Sequence, residues 1–572
     1  MKISEMLDQA VTAALEAAGA QGAPAVVRQA QRPEFGHYQA NGVMGAAKKL
    51  GMNPRELAAK VLEHLDLPAA DKVEIAGPGF LNIHLSNAFL TDAVESLRDD
   101  ERLGIETREP LNIVVDYSAP NLMKEMHIGH LRTTSIGDAL VRMLEFLGHN
   151  VIRQNHVGDW GAQFGSLLAY LDTLGNEEIR TELKDLEAFY RVASGMFRSD
   201  ESFAEKARGY VVRLQNGDER CMALWQQFIE ESIRHCQEVY DKLDITLQRE
   251  DIAAESMYNA DLATVVEELT AKGLITESDG ALCVFLDQFK GKDGTPLPAI
   301  VRKSDGGYGY MATDLAAARH RSQQLKADIA LYVVGAPQTL HFQQVFAVAR
   351  AAGYIGEDQD FRHLPFGSVL NSEGKMFKTR DGADVKLIDV VDEALTRAYD
   401  VVTAKNDELS EDERREIARV VGPGAMKYAE LSKNRTTDYI FDFDQMLSFD
   451  GNTAPYLQYA YTRIRSVFRR AGVAPAEAGG AVALGEDAEI ALALKLLQFE
   501  EAITASLEDY QPNLLCNYLF ELAGIFTSFY EACPILKADD ATRASRLALC
   551  DVTARTLQRG LGLLGIFTVE QM

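Results

Sequence analysis

The clearest hydrophobic and polar rhythm of this chain lies in residues 112–155, NIVVDYSAPNLMKEMHIGHLRTTSIGDALVRMLEFLGHNVIRQN. Ile113, Val114 and Val115 form a β-branched run suited to a buried parallel strand. Ser118-Ala119-Pro120-Asn121 ends it in a turn, because proline cannot continue regular structure. From about Gly129, the residues Ile136, Ala139, Leu140, Met143, Leu144 and Leu147 fall on one helical face, and Gly148 stops the helix. Val151-Ile152 opens a second strand. Strand, loop, helix, strand predicts a right-handed βαβ crossover and an α/β sheet.

The same reading divides the rest of the chain. Residues 1–108 predict a separate α+β domain. It has an opening helix to about Ala20, a largely helical stretch around residues 35–65, and a strand in VEIAGPGFLNIHL. There Leu81, Ile83 and Leu85 alternate with Phe80, Asn82 and His84, so one face is apolar and the other offers an aromatic and a polar edge. Residues from about 170 to 295 are mostly helical and charged, an insertion between two halves of a doubly wound sheet. The second half resumes with a helix from about Thr313 and a strand over Leu331, Tyr332, Val333 and Val334 that ends at Gly335. Beyond about residue 395 the pattern is helical to the end. The expected domains are therefore 1–108, 109–395 with its insertion, and 396–572.

Composition narrows the class. A chain of 572 residues is too long for one core. Its 47% hydrophobic and 25% charged residues suit a soluble globular protein, and no apolar run reaches the length of a membrane span. The acidic, periodic N-terminus argues against a signal peptide. Cys221, Cys236, Cys283, Cys516, Cys533 and Cys550 form no CxxC pair, so neither a structural metal nor a disulfide framework is expected. The chain reads as cytoplasmic. A net charge of −27 argues against indiscriminate nucleic-acid binding, DNA included, and leaves room for a local RNA-reading surface built on stacking and base edges.

The chemistry concentrates at the predicted helix start, His127-Ile128-Gly129-His130. A helix N-terminus offers unpaired N–H groups and partial positive charge to a phosphate. Two imidazoles add donors there, and glycine permits close approach. From 11 His and 43 Gly in 572 residues, chance supplies roughly 0.02 copies of HxGH, which sets coincidence aside. Downstream, SEGKMFKTRDG reads as a basic, glycine-bounded mobile loop. Gln338 follows a strand end, where ligands of open α/β sheets sit, and Tyr310 and Asp314, four apart, share a helical face. Tyr456, Tyr459 and Tyr461 interleave with Arg463, Arg465, Arg469 and Arg470, a composition suited to single-stranded RNA. GLGLLG at residues 560–565 has no strand before it and is no dinucleotide motif, and no GxxxxGK[ST] is present.

HIGH after a first strand resembles the class I aminoacyl-tRNA synthetases, and VVDYSAPNLMKEMHIGHLRTT is similar to the bacterial type of arginyl-tRNA synthetase. The resemblance continues through HVGDWGAQFG, the second half of the sheet and NTAPYLQYAYTRIRSVFRR. It implies a Rossmann-type catalytic domain with an insertion, an N-terminal domain reading the tRNA elbow, and an all-α anticodon-binding domain. The implied reaction activates L-arginine with ATP and Mg2+ and transfers it to tRNA(Arg), in a monomer. His127, Gly129, His130, Lys375 and Lys378 would meet ATP, KMFKT being a degenerate form of the KMSKS loop, with Lys124 as an alternative cation. Asp116, Asn121, Tyr310, Asp314 and Gln338 match arginine-contacting positions; Asp314 is the guanidinium partner, and Asp116 and Asn121 hold the α-amino end. Phe80 and Asn82 match a pair that reads a D-loop base, and Tyr456, Tyr459 and Arg463 fall on the anticodon side. Activation is expected to require tRNA. A cysteinyl enzyme would need a zinc set, and a nucleotidylyltransferase would be far shorter. A catalytically inactive tRNA-binding paralogue is the remaining alternative.

Overall fold

Asn112–Asp116 (β1) runs into a left-handed turn, then into the helix Gly129–Phe146 (α1) and the strand Asn150–Gln154 (β2). This is the crossover the hydrophobic pattern predicts. The computed structural model describes residues 2–30, 32–161, 163–174, 185–375, 385–406, 408–475 and 480–572. After the insertion come Tyr310–Gln323 (α2), Ile329–Tyr332 (β3), Thr339–Ala351 (α3) and Asp360–His363 (β4). Among the described residues the four strands form one parallel sheet in the order β4-β3-β1-β2. The register sets Tyr332 beside Asp116 and Asp116 beside Gln154, so these three side chains share the carboxyl edge.

The core of this sheet is apolar where the sequence is β-branched or small. Val114, Ala330 and Tyr332 pack against Leu315, Ala316, Val345, Val348 and Phe361. Helix α1 buries the predicted face, and it also buries Arg132, Thr133, Thr134 and Asp138. It approaches β1 closely: a Cβ on Gly137 would lie 2.2 Å from the Tyr117 ring.

Contacts divide the chain into two units. One comprises Arg108–Ser448 with Leu564–Ile566, the other Met1–Thr107, Phe449–Leu563 and Phe567–Met572. The first holds the sheet and the insertion. The insertion's helices Leu186–Ser199, Glu201–Gln215, Glu219–Lys242 and Leu262–Ala271 agree with the helical pattern. Its end differs: Ile275–Ser278, Ala281–Lys290 and Pro296–Arg302 form a three-stranded antiparallel sheet. Alternation in ALCVFLDQFK and the left-handed Gly280 (φ 77°) and Gly294 (φ 83°) favour hairpins there. Helices Leu387–Lys405 and Glu411–Leu431 also belong to this unit, although the pattern alone groups residue 396 onward with the C-terminal helices. The reason is burial: Lys427 and Glu430 are 2% and 1% exposed, and Lys427 donates to the carbonyls of Leu243 and Gly565.

The second unit joins the two ends of the chain. Its antiparallel sheet has Tyr38–Ala40 and Phe80–Leu85 at the centre, flanked by Val27–Gln29 and Ala70–Ala76. Helices Ala454–Ala471, Asp487–Leu497, Phe499–Glu508, Asn513–Ala532 and Asp540–Leu563 make up the rest. Glu501 ties the parts together by accepting from Ser4 N–H at 2.8 Å, Gln29 at 3.0 Å and the Tyr38 hydroxyl at 3.2 Å. Among the described residues no helix is long and apolar enough to cross a membrane.

Candidate active site

The turn after β1 is strained and held from several sides. Ser118 and Ala119 have φ of 69° and 47°, a region that L-residues seldom occupy. Ser118 N–H donates to Thr133 Oγ1 at 3.1 Å, and Ala119 N–H donates to Asn155 Oδ1 at 3.0 Å. The Ser118 hydroxyl lies 2.7 Å from the Tyr240 hydroxyl. This turn and the start of α1 enclose a cavity of about 380 Å³ at the carboxyl ends of β1 and β3. Its lining includes His127, Gly129, His130, Gly335, Gln338 and Ser368. The strand polarity therefore places a cleft where open α/β sheets bind ligands.

The two histidines do more than add donors to a helix end. His127 Nδ1 accepts from Gly129 N–H at 3.1 Å, and His130 Nδ1 lies 3.1 Å from the His127 backbone nitrogen. The same His130 Nδ1 also lies 3.2 Å from the His127 carbonyl oxygen, so it accepts from the N–H or donates to the carbonyl according to its tautomer. The expected free N–H groups of residues 127 and 129 are thus occupied by the two rings. The rings lie 4.1 Å apart, centre to centre. Surrounding protein and the neighbouring His127 lower the His130 pKa to about 3, so His130 is neutral near pH 7.

A second cluster lies at the same edge of the sheet. Helix α2 runs antiparallel to the strands it joins, so its N-terminal part, with Asp314 just past the first turn, sits at the strands' carboxyl side. Asp314 Oδ2 lies 2.6 Å from His341 Nε2, and Oδ1 lies 4.0 Å from His156 Nε2. Glu255 joins it, held by a bond from its N–H to the Val157 carbonyl at 3.0 Å. Burial, then the charges of Asp314 and Asp159, raise the Glu255 pKa to about 7. Sequence reasoning missed Glu255, His156 and His341. No spacing announces them, because residues 156, 255, 314 and 341 converge only through the fold.

Other expected residues fall variously. Asp116 is 4% exposed and its Oδ2 pairs with buried Arg321 at 2.8 Å, while Oδ1 has no hydrogen-bond partner among the described residues. Arg321 Nε also donates to Gln154 at 2.6 Å, so this carboxylate has an internal counterion that the sequence did not reveal. Asn121 is exposed and its side chain accepts from Met123 N–H at 3.0 Å. Tyr310 is 72% exposed on the first turn of α2, and Gln338 is exposed at the cavity. Exposed Lys124 lies 5.3 Å from the Tyr190 ring centre, and Lys375 pairs with Glu373 at 2.9 Å. Lys378 lies outside the described residues. Among the described residues no group of three or more His, Cys, Asp or Glu could hold a metal ion.

In the second unit, Phe80 is half-buried, whereas Asn82 is 2% exposed with Oδ1 accepting from Gln39 at 2.7 Å. The polar edge expected of this strand is therefore shared with its neighbour strand. Tyr459 is 44% exposed, Tyr456 packs on Phe520, and Arg463 lies 4.2 Å above the Tyr530 ring. Tyr461 turns inward and donates to Glu570 at 2.9 Å.

Known proteins resemble this chain along its whole length. Residues 93–443 match the model for the class I (R) tRNA synthetase catalytic domain. Residues 2–85 match the arginyl-tRNA synthetase N-terminal domain, and 457–572 the DALR anticodon-binding domain. The chain is 55% identical to an arginine-tRNA ligase of Hahella chejuensis and 53% to one of Vibrio vulnificus, each over 100% of both chains. The solved arginyl-tRNA synthetases of Plasmodium falciparum (30% identity, TM-score 0.88) and Thermus thermophilus (25%, 0.82) superpose over 100% of both chains. With its HIGH turn at the cleft and this agreement along its whole length, the chain belongs to the arginyl-tRNA synthetase family.

Proposed function

We propose that the cavity at the start of α1 holds ATP and that the Asp314–Glu255 cluster holds the guanidinium of L-arginine. The chain is an arginine-tRNA ligase, so two substrates must meet at one edge of the sheet. The observation that carries the assignment is the pairing of a two-imidazole helix start with a second site of two carboxylates. A planar guanidinium donates in its own plane to carboxylates, and a site built on that match rejects lysine and citrulline.

In the first step the arginine carboxylate attacks the α-phosphorus of ATP, and pyrophosphate leaves. The rings of His127 and His130 are assigned to the phosphate oxygens, where negative charge builds. Mg2+ is taken to arrive with the triphosphate, whose oxygens and waters supply most of its ligands. Lys378, or Lys124 from its seat over Tyr190, would add positive charge toward pyrophosphate. Asp116 Oδ1 and Asn121 are assigned to the α-amino group. In the second step a hydroxyl of the terminal adenosine of tRNA(Arg) attacks the arginyl carbonyl, and AMP leaves. Phe80, Asn82, Tyr456, Tyr459 and Arg463 are assigned to tRNA, with the N-terminal domain and the C-terminal helices from Ala454 onward as its reading parts. The enzyme is taken to act as a monomer in the cytoplasm.

Arginine-dependent ATP–pyrophosphate exchange tests the assignment, run with and without tRNA(Arg) and with lysine as control. Exchange only with arginine and only with tRNA supports both the substrate assignment and a site completed by tRNA. Exchange without tRNA retains the site and removes that coupling. tRNA binding with no exchange would favour an inactive paralogue.

A further inference from the structure

The residue after HIGH's leucine is a buried arginine, and nothing in the reaction requires it to touch a substrate. Arg132 is 0% exposed on α1, and its Nε lies 3.4 Å from Oε2 of Glu430, itself 1% exposed on helix Glu411–Leu431. Arg132 Nη1 donates to the carbonyl of Ser368 at 3.3 Å, and its guanidinium carbon lies 5.2 Å from the ring centre of Tyr439. The Tyr439 hydroxyl closes the circuit by donating to Glu430 Oε1.

The circuit joins the two walls of the nucleotide cavity. One wall is the HIGH turn at the start of α1; the other is the segment Phe366, Gly367, Ser368 and Val369. Val369 and Leu370 pair in parallel with Tyr439 and Ile440, and Ser368 N–H donates to Asp438 Oδ1 at 2.6 Å. The strand Val369–Leu370 ends just before the lysine-bearing segment that begins at Asn371. A guanidinium on one wall therefore reaches a carbonyl on the other, and the strand that braces this second wall carries the tyrosine under the same guanidinium.

The circuit is poorly suited to a purely stabilising role. Arg132 Nε and Nη2 and Glu430 Oε2 lack hydrogen-bond partners of good geometry among the described residues. A buried charged group left partly unsatisfied costs stability relative to apolar packing, and such groups persist where specificity of arrangement matters.

We infer that Arg132, Glu430 and Tyr439 are positioning residues for adenylate formation, setting the separation of the HIGH turn from the Ser368 wall. The inference rests on the assignment of the cavity to ATP. The test is arginine-dependent exchange with tRNA present, for wild type, Glu430→Gln and Tyr439→Phe, with the folded fraction of each measured by thermal unfolding. Tyr439→Phe removes one hydroxyl and keeps the ring, which guards against simple misfolding. A misplaced wall is expected to raise the ATP KM about tenfold in each variant, while the arginine KM stays within about twofold. An unchanged ATP KM in active variants, with any loss confined to folded fraction, overturns the positioning role and leaves the site assignment standing. Wild type without exchange would overturn the site assignment and the inference with it.

Discussion

Each imidazole of the HIGH turn has one nitrogen committed to the backbone, so its chemistry is carried by the other. Burial holds the His130 pKa down at about 3, so the ring is neutral near pH 7. Its protonation therefore contributes no acid limb to activity near pH 6.5. Replacing His127 or His130 by Asn is expected to lower the exchange rate by about 10²–10³, the usual loss for one donor to developing charge. Glu255 behaves in the opposite sense. Its carboxyl holds its proton up to about pH 7 and must lose it to pair with a guanidinium. The arginine KM is accordingly predicted to rise by about tenfold per pH unit as pH falls below 7, and to level off above it. Glu255→Gln should weaken arginine binding and flatten that dependence. A wild-type arginine KM that is flat from pH 6 to 8 would rule the carboxyl out of the site.

The elements matter because α1 carries both imidazoles and is clamped to β1 at close range. At Gly137 an added methyl would meet Tyr117 ring and Cβ atoms at 2.2–2.5 Å, too near for any rotamer change to relieve. Gly137→Ala is expected to cost about 1–3 kcal/mol of unfolding free energy, seen as a lower denaturant midpoint. It should also reduce exchange, since the helix can accommodate the methyl only by lifting off the strand. The left-handed Ser118-Ala119 turn has the same standing. Four hydrogen-bonding neighbours over-determine it, and it lines the same cavity as Gln338 from the chain's second half. Helix Glu411–Leu431 reads in sequence as the start of a helical C-terminal domain, but its buried Lys427 and Glu430 belong to the sheet's unit.

Over the whole molecule, an acidic chain of net charge −27 must bind a polyanion. That combination predicts tRNA affinity carried by stacking and base contacts more than by phosphate neutralisation, hence a shallow dependence on salt. Exposed Tyr459 is the clearest stacking candidate. Tyr459→Ala is expected to weaken tRNA(Arg) binding by about 1–3 kcal/mol, measured by direct titration, with the arginine KM unchanged. A variant that binds tRNA as wild type does would remove Tyr459 from the interface.

The sequence by itself determined the βαβ crossover, the HIGH turn at its helix start and the family, because those depend on local periodicity, on turn chemistry and on a motif of contiguous residues. It also located Gln338 beyond a strand end, since strand polarity is legible from order alone, whereas Asp314 stands out only through the family resemblance. Only the tertiary structure decided the partners. Glu255 reaches Asp314 across 59 positions, Arg321 claims Asp116, and Glu430 sits under Arg132 from nearly 300 positions away. Such contacts join charged residues whose local pattern reads as solvated surface. Burial, which creates their energetics, is a property of the packed fold and has no period along the chain.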